Sequence, residues 1–108
     1  MKENFLDKIP ARKKEINWYL KDGKITLEII NKGFFNFIAQ KLFKRPKISY
    51  IYLDETGTFL WPLLDGEKTV FELGKLLREE FGEKAEPLYE RLTEYFNILK
   101  SYKFIYFV

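Results

Sequence analysis

The sequence contains neither cysteine nor histidine. Without cysteine there can be no disulfide and no thiolate metal site. Without histidine the chain lacks the commonest general base near neutral pH and the commonest zinc ligand. No apolar run approaches the roughly 18 residues that span a membrane, and the N-terminal stretch MKENFLDKIP has no apolar signal-peptide segment. We therefore expect a cytoplasmic protein with no membrane contact, no metal and no organic cofactor.

Motifs for catalysis are missing as well. Ser49 and Ser101 have no histidine to activate them, and the isolated glycines form no phosphate-binding loop. The acidic pair Asp54 and Glu55 does not suit paired catalysis, because adjacent residues on a helix do not face each other. Acidic residues are instead favoured in a first helical turn by the helix dipole. The sequence therefore predicts a protein that is not an enzyme.

What the chain does have is aromatic content and an uneven charge. Eleven Phe and seven Tyr contribute to an aromatic fraction of 19% over 108 residues, enough for one domain. Up to Tyr50 there are twelve basic and five acidic residues, and from Ile51 onward there are seven and eleven. Aromatic residues are enriched where proteins meet partners, so a binding role is favoured.

The N-terminal half predicts a flexible lead-in followed by strands. We expect residues 1–14 to be a flexible basic lead-in and residues 15–108 to form a single domain. Alternating apolar residues predict a hairpin over 15–20 and 24–30, joined by the Asp-Gly turn of KDGK. The stretch ISYIYL predicts a third strand over 48–53, because it is rich in β-branched and aromatic residues.

An insert of about residues 31–47 separates the second and third strands. Its apolar residues recur at helical spacing and predict a short extra helix that stops at Pro46: Phe34, Phe35, Ile38, Leu42 and Phe43.

The C-terminal half predicts three helices. Asp54 is expected to cap the first, which ends at Asp65-Gly66 and should kink or tighten around Pro62. Thr69 and Glu72 form a predicted capping box for the second helix, which Gly82 closes. The third runs from about Glu86 to Tyr102, and the final FIYFV is expected to be a short strand or an extended tail. One face of the third helix is predicted to be buried: Leu88, Leu92, Tyr95 and Leu99.

This order predicts an α+β fold in which a small three-stranded antiparallel sheet packs on a three-helix bundle, as in a winged helix. Winged helices often bind nucleic acid. The charge pattern argues against that here, because the helical part is acidic and Glu86, Glu90 and Glu94 follow one another along the third helix.

The stretch from YIYLDETGTFLWPLLDG through TVFELGKLLREEFG to PLYERLTEYFNILKSYKFI resembles the PqqD family. The resemblance covers roughly residues 16–105, and the insert and Pro62 depart from it. It depends on cap and core positions that fall in register with the family: Leu53, Asp54, Glu55, Trp61, Leu64, Asp65, Gly66, Thr69, Val70 and Leu99.

The resemblance implies a peptide chaperone, also called a recognition element for ribosomally made, post-translationally modified peptides. Such a protein holds the leader of a precursor peptide and presents it to a modifying enzyme, commonly a radical SAM enzyme. It also implies that Trp61 is buried, and that the leader lies along the third strand against the third helix.

These expectations give a set of candidate peptide-binding residues. The strand contributes Ile48, Ser49, Tyr50, Ile51, Tyr52 and Leu53. The third helix contributes one flank with Tyr89, Phe96, Lys100 and Lys103, together with Tyr95 beside it. We favour this flank over the other, which carries Arg91, Ile98 and Tyr102, because aromatic residues next to lysines suit a leader with apolar and acidic residues. The alternative is that Tyr95 and Phe96 belong to the core and that the lysines are simply solvated.

Three functions therefore stay open. The first is leader binding for a modifying enzyme in natural product biosynthesis. The second is a winged-helix nucleic-acid binder, for which only the basic lead-in and insert give support. The third is a docking subunit that binds a protein partner without any precursor peptide.

Overall fold

The structure, a computed structural model, describes residues 4–31 and 47–108, with only the backbone described at Ile30, Asn31 and Lys47. The extra helix predicted inside the insert, with its apolar residues, lies outside the described residues. In the rest of the chain, strands dominate the first half and helices the second. The predicted α+β class is confirmed, with a three-stranded antiparallel sheet and three α-helices.

Five strands are described, and they form two sheets. They are β1 (Pro10–Arg12), β2 (Asn17–Lys21), β3 (Lys24–Asn31), β4 (Lys47–Tyr52) and β5 (Ile105–Phe107). The larger sheet has the order β2-β3-β4, with both pairs antiparallel. The predicted hairpin is therefore confirmed. Its turn residues Asp22 and Gly23 have φ angles of 52° and 78°, the left-handed conformation that the favoured two-residue hairpin turn requires.

The smaller sheet corrects the expectation of a flexible lead-in. β1 pairs antiparallel with β5, so that Pro10 lies opposite Phe107 and Arg12 opposite Ile105. Ala11 also forms a bridge with Asp65, and it is buried. The basic charge of this segment predicts that it is exposed to solvent, but its few apolar residues are sufficient to hold it against the rest of the domain. The final FIYFV is accordingly a strand and not a free tail.

Three α-helices follow β4: α1 (Glu55–Leu60), α2 (Val70–Phe81) and α3 (Leu88–Ser101). Helix α1 tightens into a 3-10 turn at Trp61–Leu63. This confirms the expected effect of Pro62, which lacks the N–H group needed to continue an α-helix. Further 3-10 turns lie at Phe5–Asp7 and Gly82–Ala85.

The helix caps agree with the sequence. The Asp54 carboxylate accepts a hydrogen bond from the Gly57 N–H at 2.9 Å. Thr69 and Glu72 form both hydrogen bonds of a capping box at the start of α2. Gly82, with φ 58°, ends that helix. These caps are predictable from the sequence because each depends on residues within three positions of one another.

A single core lies between the larger sheet and the helices. Trp61 and Phe96 are its largest members and are both 0% exposed. They pack with Ile25 and Leu27 of β3 and with apolar residues of all three helices. Helix α3 buries Leu88, Leu92, Phe96 and Leu99, so the prediction for this face is wrong at one position: Phe96 occupies the centre, and Tyr95 is only partly buried.

Candidate functional site

Strand β4 is an edge of the larger sheet. Among the strands that the structure describes, it pairs only with β3. Its hydrogen-bonding direction follows from the bond that the Leu53 N–H donates to the Ile25 carbonyl at 2.9 Å. Since the backbone groups of alternate residues point the same way in an antiparallel strand, those of Ser49 and Ile51 also point toward β3. The N–H and C=O groups of Ile48, Tyr50 and Tyr52 point outward.

The side chains of β4 alternate between two surroundings. Leu53 is buried and Ile51 packs against the core, so these two candidate residues are supports of the sheet. Tyr50 and Tyr52 lie on the opposite face and are 50% and 63% exposed, and Ile48 shares that face. Ser49 is partly buried beside its pair partner Ile29. The six candidate strand residues therefore divide into outward-facing and inward-facing sets.

The segment after β4 fixes the end of this edge to the helices. The Thr58 hydroxyl donates to the Leu53 carbonyl at 3.3 Å and accepts from the Ile25 N–H at 3.0 Å. Thr58 thus continues the ladder where β3 and β4 end. Together with the Asp54 cap, it explains why the stretch LDETGT is structural in this chain.

Tyr95 joins α3 to the same end of β4. A β-carbon at Gly57 would lie 2.9 Å from the Leu53 β-carbon and closer still to the Tyr95 hydroxyl. The absence of a side chain at Gly57 therefore makes room for Tyr95. The Tyr95 hydroxyl is buried, and none of the residues that the structure describes forms a hydrogen bond with it. Burial raises the pKa of Tyr95 well above its usual value, and the nearby Asp54 carboxylate raises it further.

The flank of α3 that lies beside the sheet is the one with Arg91, Ile98 and Tyr102, and not the flank that the sequence favours. Tyr102 lines a hollow of about 250 Å³ together with Ile29 and Phe104. Ile98 and Tyr102 are 46% and 65% exposed, although both are large and mostly apolar. Tyr95 approaches the Leu53 end of β4 at Gly57, and Tyr102 shares a hollow with Ile29 of β3, so this flank faces the larger sheet.

Two residues of the favoured flank, Tyr89 and Lys100, contact other parts of the molecule. Tyr89 stacks on Phe71 of α2 with 6.5 Å between ring centroids. The Lys100 ammonium lies 5.3 Å from the centre of the Phe107 ring of β5. Lys103 lines the hollow next to Tyr102.

Phe96 is completely buried, which favours a core role over the predicted peptide contact. Helical periodicity had grouped these residues correctly, but the packing partner of each flank depends on the tertiary arrangement. The available sequence signal for the other flank was the apolar Ile98 at helical spacing from the charged Glu94 and Arg91.

The described residues contain no cluster of three or more His, Cys, Asp or Glu side chains that could hold a metal ion. The same part of the chain has no helix long and apolar enough to cross a membrane. The strongest local charge interactions serve turns. Hydrogen bonds from Lys68 and from the Glu67 N–H lower the pKa of Asp65 in the turn before α2.

The sheet and helices define a small α+β domain in which β4 is one of the two edges of the larger sheet. A family model described as Coenzyme PQQ synthesis protein D (PqqD) matches residues 43–105. The chain therefore belongs to the PqqD family. No curated protein and no solved structure matches it. Family membership implies an accessory role in the biosynthesis of PQQ or of other ribosomally made, modified peptides, and members of the family are not catalysts.

Proposed function

We propose that this protein binds the leader of a ribosomally made precursor peptide by adding it as a strand to β4, and presents it to a modifying enzyme. The observation that carries the proposal is the open edge at Ile48, Tyr50 and Tyr52, whose backbone groups point away from β3. An extended peptide binds such an edge through main-chain hydrogen bonds, which are independent of its sequence.

Helix α3 supplies the side-chain contacts in this proposal. Tyr95, Ile98 and Tyr102 share the flank of α3 that faces the larger sheet, and the exposed apolar surface of the last two would suit apolar leader residues. A peptide in this position would touch the strand on one side and the helix on the other. Specificity would then come from alternate side chains of the leader, since only every second one faces the helix.

The enzyme partner in this proposal is a radical SAM enzyme, and the site of action is the cytoplasm. Support for the partner comes from family membership, which links the chain to peptide modification. Nucleic acid is a poorer partner for the helical face, because Glu90 and Glu94 are exposed along α3 and would repel phosphates.

A proline at Tyr50 tests strand addition directly. Tyr50→Pro removes one outward N–H and leaves the ladder to β3 intact, since proline is tolerated where the N–H faces solvent. The matched change Tyr50→Ala removes the same side chain but keeps the N–H. We expect Tyr50→Pro to bind the leader about tenfold more weakly than Tyr50→Ala, because one hydrogen bond is lost and its acceptor is left unpaired. Titration calorimetry with short peptides encoded beside the gene would measure this.

The opposite edge of the sheet provides the control. On β2 the backbone groups of Trp18 and Leu20 point outward by the same alternation, and Leu20 is exposed. Leu20→Pro should therefore leave leader binding unchanged. If Tyr50→Pro binds like Tyr50→Ala, or if only Leu20→Pro loses binding, the leader does not use β4. Should Tyr50→Pro fail to fold, backbone N-methylation of alternate leader residues gives the same test from the peptide side.

A further inference from the structure

A group of lysines lies where the end of α3 meets the N-terminal segment and β5. A cavity of about 500 Å³ lies between the N-terminal segment, the end of α3 and β5. Lys8, Lys13 and Lys100 line it, and Asp7 is the only acidic side chain among the lining residues. None of the three lysines forms an ion pair with any residue that the structure describes.

Two of these lysines share one aromatic ring. The ammonium groups of Lys8 and Lys100 lie 5.1 Å and 5.3 Å from the centre of the Phe107 ring. Phe5 packs edge-on against the same ring at 5.8 Å, which holds Phe107 in place. A ring face attracts each cation, so Phe107 keeps both ammonium groups at the cavity that all three residues line.

We propose that this cavity binds the carboxylates of an acidic segment of the precursor peptide, at a distance in sequence from the part that pairs with β4. The inference rests on the proposed leader binding and adds the chemical class of a second contact. Carboxylates suit the cavity because ammonium groups donate several hydrogen bonds to them. The peptide carbon chain would rest on Phe107 and on the neighbouring apolar residues.

A route connects the two contacts. The hollow of about 250 Å³ beneath Tyr102 lies next to Ile29, which pairs with Ser49 of β4. From there a second hollow, lined by Lys13, Lys14, Glu15 and Tyr106, leads to the cavity, which shares Lys13 and Tyr106 with it. A helix is about 10 Å across, so about three to four extended residues would be enough to pass its end.

Charge along this route predicts where the acidic residues of the peptide lie. The hollow at Ile29 of β3 contains Glu15 and Glu28 as well as Lys103, so it offers no net attraction to carboxylates. The cavity beyond it has three lysines and one aspartate. The acidic residues should therefore be separated from the strand-paired residues by a short neutral stretch. Glu15 and Glu28 along this route would repel a continuous phosphate backbone, which favours the precursor peptide as occupant over nucleic acid.

Acetylated hexaglutamate amide is a suitable probe, with hexaglutamine as its uncharged match. We expect hexaglutamate to shift the amide resonances of Lys8, Lys13 and Lys100 in NMR spectra of the full chain. Binding should weaken with salt because the site is partly open to solvent. Lys8→Gln combined with Lys100→Gln should weaken it about tenfold, or roughly threefold per lysine. The control pair Lys24→Gln with Lys84→Gln alters exposed lysines elsewhere and should have less than a twofold effect.

The outcomes separate this inference from the leader proposal. Shifts confined to the cavity and lost in the Lys8/Lys100 variant support it. It is overturned if hexaglutamate causes no shifts, shifts resonances elsewhere, or binds no better than hexaglutamine. Tighter binding of a 20-base-pair DNA duplex to the same residues would also overturn it, in favour of a nucleic-acid partner. None of these results depends on the Tyr50→Pro comparison, so strand addition at β4 is tested independently of the basic cavity.

Discussion

Trp61 is the residue on which the core most depends. It is 0% exposed and packs where α1 tightens into its 3-10 turn. The Arg12 guanidinium donates to the Trp61 and Pro62 carbonyls at 3.0 Å and 2.9 Å, which satisfies groups that the end of a helix leaves without partners. Trp61 thus contributes its side chain to the core and its carbonyl group to a cap.

Trp61→Ala should lower the free energy of unfolding by about 3–5 kcal/mol, because a large cavity replaces the indole. That is a large part of the roughly 5–15 kcal/mol typical of a domain. The other tryptophan gives the control: Trp18 is 37% exposed, so Trp18→Ala should cost under about 1 kcal/mol. Urea denaturation of both variants measures the difference, and equal midpoints would show that Trp61 is not a core residue.

Gly57 of α1 lies against the Tyr95 side chain of α3. Gly57→Ala should lower stability by about 1–3 kcal/mol, because the new methyl group collides with the Tyr95 hydroxyl and with Leu53. Tyr95→Phe should raise stability by about 1 kcal/mol, since it removes a buried hydroxyl that has no partner among the described residues. The double variant should lose less than Gly57→Ala alone.

Thermal denaturation of the three variants tests this contact. Tyr102→Phe is the control, because the Tyr102 side chain is 65% exposed and the change should have no effect. Destabilisation by Tyr95→Phe would mean that its hydroxyl has a partner in solution.

At the scale of elements, α2 depends on its capping box. The Thr69 hydroxyl accepts from the Glu72 N–H at 3.1 Å, and the Glu72 carboxylate accepts from the Thr69 N–H at 3.2 Å. Thr69→Ala should cost about 1 kcal/mol of folding free energy. Thr69→Ser keeps the hydroxyl and should stay close to wild type. A urea midpoint for Thr69→Ser as low as that of Thr69→Ala would show that the methyl group, and not the cap, matters.

Alternate residues of strand β4 have two different roles. Ile51 and Leu53 direct their backbone toward β3 and their side chains toward the core. Tyr50 and Tyr52 direct both their backbone and their side chains away from those partners. In a strand, each step along the chain reverses both the direction of the backbone hydrogen-bonding groups and the face of the sheet on which the side chain lies. Substitutions of Ile51 and Leu53 therefore test folding, and substitutions of Tyr50 and Tyr52 test binding.

At the scale of the whole molecule, the N-terminal segment and β5 hold the two ends of the described chain together. The Arg12 N–H donates to the Leu64 carbonyl and the Lys13 N–H to the Phe104 carbonyl, at 3.0 Å and 3.1 Å. The Val108 N–H donates to the Ile9 carbonyl at 2.8 Å. The cavity proposed for an acidic segment is formed by this junction, so its existence depends on the N-terminal segment being ordered.

Amide hydrogen exchange tests this junction without any substitution. The Arg12 and Lys13 amides should exchange much more slowly than those of unstructured peptides, because both are bonded between distant segments. The amides of Lys14 and Glu15 lie next to them and are exposed, so they serve as fast-exchanging controls. Fast exchange at all four positions would restore the flexible lead-in that the composition suggested.

The sequence by itself determined the features that depend on near neighbours. The Asp22-Gly23 turn, the caps at Asp54 and Thr69 and the tightening at Pro62 each arise from contacts within a few residues. Apolar alternation and helical spacing then identified the strands and helices, because a buried face imposes its own period. Together with the Trp61 position, these local signals were sufficient to indicate the α+β class and the family.

Only the tertiary structure decided which surfaces meet. Helical spacing separates the flanks of α3 but cannot say that Tyr95 and Tyr102 lie beside the sheet while Tyr89 and Lys100 face α2 and β5. It also cannot show that residues 10–12 pair with residues 105–107, because no local pattern encodes a partner so far along the chain. Pairing over that distance depends on the whole fold first bringing the two segments together, so the basic cavity at Phe107 has no signature in the sequence.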